Sequence, residues 1–82
     1  MNLERAALKG RLEEAKNDLR GVELRGDALI NQIRPLLDPY ADTIADVDTA
    51  TALVLMGDLA KLKDSAVALQ CRIKEFEGDL NG

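Results

Sequence analysis

The chain has 82 residues, 46% hydrophobic and 32% charged, with a net charge of −4; this is the make-up of one small foldable domain, neither disordered nor membrane-spanning. It contains no histidine or tryptophan and only one cysteine, one tyrosine and one phenylalanine. The usual general base, the usual zinc ligands and nearly all base-stacking aromatics are therefore missing.

From Leu8 onward, apolar or small residues recur at Leu8, Leu12, Ala15, Leu19, Val22, Gly26, Leu29, Ile33 and Leu36. This 4-3-4-3 spacing is the seam of a coiled coil. The stretch is rich in residues that favour helix, so a first helix is expected over about 3–37. Pro35 removes a hydrogen bond and crowds the preceding turn, so this helix should kink or end there.

The stretch from Arg34 to Thr51 holds both prolines of the chain, and about 38–48 of it forms the tip. Asp38 before Pro39 suits a helix N-cap followed by the first helical position, which predicts a short helix from about Pro39 to Ala45. Tyr40, Ile44 and Val47 are then placed to plug the end of the hairpin. Asp48 or Thr49 is the expected cap of a second long helix over about 49–79, which Gly78 and Asn81-Gly82 should end.

The second helix repeats the rhythm at Ala52, Leu55, Leu59, Leu62, Ala66, Leu69, Ile73, Phe76 and Leu80. In an antiparallel pair, facing seam positions add to a constant. A constant of 88 gives layers such as Leu12/Phe76, Ala15/Ile73, Val22/Ala66, Gly26/Leu62 and Ile33/Leu55, in which small residues meet larger ones. It also sets Lys9 by Glu77, Glu23 by Lys63, Arg11 by Asp79 and Asp18 by Arg72, with Ile30 against Met56. Sliding one heptad either way juxtaposes Lys16 with Lys63 or Asp18 with Asp79. The expected fold is therefore all-α: an antiparallel coiled-coil hairpin of a long helix, a short capping helix and a long helix, forming a single domain over 1–82.

A two-helix hairpin offers little interior, and scaffolds of this size usually gain stability by oligomerising. Apolar residues left over from the seam mark where: Leu53, Met56, Ala60 and Val67 on the second helix, Leu24 and Ile30 on the first. A homodimer of hairpins, forming a four-helix bundle, is the expected assembly.

Candidate chemistry is sparse. The acidic tip, Asp38, Asp42, Asp46 and Asp48, has neither the spacing nor the glycine of a calcium-binding loop, so no metal is expected there. Its bland reading is that Asp38 and Asp48 cap helices while the other two keep the tip soluble. Cys71 has only Arg72 as an adjacent basic neighbour and no histidine to activate it, which makes it a passive thiol. No catalytic, cofactor-binding or metal residue is assigned, and no cofactor is expected.

Charge divides along the chain: residues 1–37 carry +1 and residues 38–82 carry −5. Cations in the first part alternate with acids, which argues against a phosphate-binding stripe and hence against nucleic acid as a partner. The lone cysteine suits a reducing compartment, the cytoplasm. Charges at Glu4, Arg5 and Lys9 break up any signal-peptide core, and no stretch approaches the ~20 apolar residues of a membrane span.

These features point to a non-enzymatic structural or protein–protein interaction module that self-associates and has room for a further protein partner. The alternative is a small acidic inhibitor or regulator of the kind phages and other mobile elements encode, docking on a basic surface of its target.

Overall fold

The computed structural model describes residues 2–37 and 43–81. Helix α1 spans Asn2–Leu36 and helix α2 spans Thr49–Asn81. Between them, within the described residues, lies one turn of 3-10 helix at Ile44–Asp46. The two long helices pack along their lengths into an antiparallel hairpin measuring 65 × 16 × 14 Å.

Burial follows the heptads. Each of the eighteen residues in the two seams is buried or half-buried. Leu12, Ala15, Val22, Ile33 and Ala52 retain only 3–8% of their exposure. Outside the seams, only Lys16, Gly21, Ile30 and Val47 reach even half-burial among the described residues. No described side chain falls below 2% exposure, because a seam between two helices is one side chain deep and solvent reaches it from both sides.

The register is the one in which facing positions add to 88. Gly26 borders the same groove as Leu59, Leu62, Lys63 and Ala66, the four residues that form the hole opposite a knob in the Gly26/Leu62 layer. A Cβ built on Gly26 would lie 3.8 Å from the Leu59 Cδ1. A slip of one heptad would instead bring Gly26 over Leu55 or Leu69. Flanking residues agree: Glu23 and Lys63 line one groove, Asp18 and Arg72 another, and Ile30 meets Met56 in a third.

Helix ends follow local chemistry, with three corrections to the expectation. Pro35 is tolerated in the last turn and α1 stops one residue later, at Leu36; Leu37 closes the end by donating its N–H to the Arg34 carbonyl at 3.2 Å. The first correction is at the tip, where the described helical residues start at Ile44 and form a 3-10 turn. Thr43 caps it, its Oγ1 accepting from the Ala45 N–H at 3.3 Å. The expected start at Pro39, the Asp38 cap and Tyr40 lie outside the described residues.

The second correction concerns Ile44, which is 88% exposed and plugs nothing. Val47 alone of the two described plug candidates turns inward, to half-burial. Gly78 supplies the third, since α2 runs through it to Asn81. A glycine stops a helix when it takes a left-handed conformation, and no described glycine has a positive φ.

Candidate interaction surface

Three structural positions divide the six residues expected to form one oligomer face. Leu53, Ala60 and Val67 follow one another at intervals of seven along the outer side of α2, all exposed. Leu53 keeps 75% of its surface and Val67 50%. Met56 and Ile30 face each other across a groove of about 400 Å³ that Ile33, Leu37 and Leu59 also line. Leu24, 66% exposed, sits opposite the seam on α1, so it points away from α2 altogether. One hairpin therefore cannot present all six on a single surface.

On the outer side of α2 a second rhythm appears that the seam conceals. Ala50, Leu53, Gly57, Ala60, Asp64, Val67, Cys71, Lys74 and Gly78 repeat at intervals of three and four, and every one of them is exposed. Only Asp64 and Lys74 are charged. Nothing in the hairpin requires such a low profile: a Cβ added at Gly57 or Gly78 meets nothing within 4 Å. The same holds for Gly10 and Gly21 on α1, so no neighbour within the hairpin demands glycine at these four sites. The repeat is legible in sequence as a second 3-4 spacing offset from the first. Its small residues and two charges hide it from a search for large apolar side chains.

The acidic tip resolves into distinct duties. Asp48 caps α2: its Oδ1 accepts the Thr51 N–H at 3.0 Å, and its carbonyl accepts the Ala52 N–H at 3.2 Å. The hydrogen bond from the Thr51 backbone is the main reason its carboxyl is held below the ordinary aspartate value, followed by a bond from the Thr51 side chain. Asp46 ends the 3-10 turn, exposed to solvent. Asp38 and Asp42 lie outside the described residues. Among the described residues, no three histidine, cysteine or acidic side chains converge on a common point.

Cys71 is exposed on the outer face of α2, at the f position of its heptad. No helix among the described residues is long and apolar enough to cross a membrane. No family model, curated protein or solved structure matches the chain.

Proposed function

We propose that the protein is a non-enzymatic interaction module, a helical hairpin that self-associates through a face its own fold leaves uncovered. The observation that carries this reading is the outer side of α2, where Leu53, Val54 and Val67 remain 50–75% exposed although the seam beside them is satisfied. Exposed apolar side chains that recur along one side of a helix are candidates for a contact surface. Association of two hairpins would supply the interior that one lacks. The lone thiol suits work in a reducing compartment such as the cytoplasm.

Sedimentation equilibrium over a hundredfold concentration range tests this directly. The wild-type chain is expected to sediment as a dimer or higher oligomer, and the Ala60→Glu/Val67→Glu double variant as a monomer of equal helicity. A wild-type monomer throughout would remove the reading, and an unchanged oligomer in the variant would remove the face.

The charge of −5 on residues 38–82 favours a second reading, an acidic regulator or inhibitor that docks on a basic protein surface. Such a complex weakens steeply as salt rises. Capture of a basic target that is indifferent to salt would count against it.

A further inference from the structure

The outer repeat of α2 carries two charged residues inside an otherwise small and apolar stripe, and those two decide what can lie on it. Asp64 and Lys74 occupy stripe positions, where any partner helix would take them partly out of water. A charge buried there without a counter-charge is costly. An acceptable occupant must therefore place a cation over Asp64 and an anion over Lys74, on a helix otherwise small enough to approach closely.

The same face of a second copy meets both demands. We infer that the outer face of α2 binds that face of a second copy, antiparallel, in the register that sets Asp64 opposite Lys74 of the second copy. This rests on the self-association proposed above and gives it a partner face, a direction and a register.

Stripe positions facing each other across an antiparallel pair add to a constant, as in the intramolecular seam. With a constant of 138, Asp64 faces Lys74 and Val67 faces Cys71 of the second copy, and twofold symmetry repeats both pairs. On one flank Lys61 then lies opposite Glu75 of the second copy, and Ala68 opposite its own counterpart. On the other, Lys63 lies toward Glu77 of the second copy and Gln70 toward its counterpart. Every charged pair is opposite in sign, and the twofold axis passes close to residues 68–70.

Other registers fail on the same residues. A constant of 124 covers Leu53 with Cys71 of the second copy, but it stacks Lys61 on Lys61 and Lys63 on Lys63 and leaves Asp64 facing Ala60. A constant of 131 sets Asp64 against Val67 and Lys74 against Gly57. At 145, Lys74 meets Cys71. A parallel pairing stacks Asp64 on Asp64 and Lys74 on Lys74. Only the register of 138 pairs both stripe charges.

The test is a charge reversal followed by its restoration, read as the dimer dissociation constant by sedimentation equilibrium, with helicity measured on the same samples. Asp64→Lys and Lys74→Asp should each weaken the dimer about tenfold, since each replaces two attractive pairs by two repulsive ones. The double variant Asp64→Lys/Lys74→Asp should return to within about threefold of the wild type, because the swap rebuilds the pair. Asn31→Glu, exposed opposite the seam on α1, should leave the dimer unchanged.

Reversals without effect, a double variant no better than the singles, or a dimer dispersed by Asn31→Glu would each overturn this register while leaving self-association standing. A wild-type monomer would remove both.

Discussion

Gly26 fills the one seam position of either helix that has no side chain, and its consequences are local and measurable. A Cβ there would make ordinary van der Waals contact with Leu59, at 3.8 Å, and glycine inside a helix costs about 1 kcal/mol relative to alanine. Gly26→Ala should therefore stabilise the hairpin by about 1 kcal/mol, raising Tm by about 4–8 °C in a domain of this size. Thermal denaturation followed by circular dichroism checks it; a lower Tm would mean that the helices approach more closely at this layer than the 3.8 Å contact allows. Asp48 is the second residue with a separable effect. Its carboxyl titrates below the ordinary aspartate range because the charged form accepts from Thr51, so its contribution is present above the unfolded-state value and is lost as pH falls through the depressed one. Asp48→Asn keeps an acceptor at the cap but should remove this part of the acid dependence, whereas Asp48→Ala should lower Tm at neutral pH as well. Equal acid midpoints for wild type and Asp48→Asn would show that other carboxylates set the acid limit.

At the scale of elements, the heptad spacing was enough to place both long helices and their register, because a seam between two helices is a one-dimensional problem. Position along the chain decides which side chain faces inward, and small residues such as Ala15 and Gly26 must meet larger ones. Leu12→Ala, at a position 8% exposed, should cost about 2–4 kcal/mol. Leu24→Ala, opposite the seam, should stay within about 0.5 kcal/mol of wild type in the hairpin itself. Urea denaturation of the two variants separates them, and equal losses would contradict the assigned faces. Helix ends were less legible. Ile44 looked like a plug because it is large and apolar, yet three residues of 3-10 turn capped by Thr43 carry it outward. Gly78 looked like a stop because glycine often is one, but the stop needs a left-handed backbone that the chain does not adopt there. The candidate face was only partly legible, since a list of surplus apolar residues ignores which side of which helix each occupies. Leu24 and Leu53 belong on the same list and on opposite sides of the molecule.

For the molecule as a whole, antiparallel layering orders the contacts by how far apart they lie along the chain. The layer nearest the turn joins Leu36 to Ala52, sixteen residues apart, while the outermost joins Leu8 to Leu80, seventy-two apart. Closing the longer loop costs about 1.3 kcal/mol more chain entropy if nothing between has formed. Assembly should therefore begin near the tip and run outward like a zipper, and thermal fraying should retrace that path. Burial does not follow this order, since Ala15 near the open end is 3% exposed while Leu36, Leu8 and Leu80 are all half-buried; the gradient comes from loop closure alone. Native-state amide exchange should accordingly be slowest around Ile33 and Leu55 and fastest beyond Leu8 and Phe76; uniform protection along α2 in a monomeric sample would contradict it. The stretch of α2 around Asp64 and Lys74 belongs to the later half of that path. A second copy seated there acts as a clasp on the open end, so raising the protein concentration should slow exchange most in the layers that one hairpin holds least tightly.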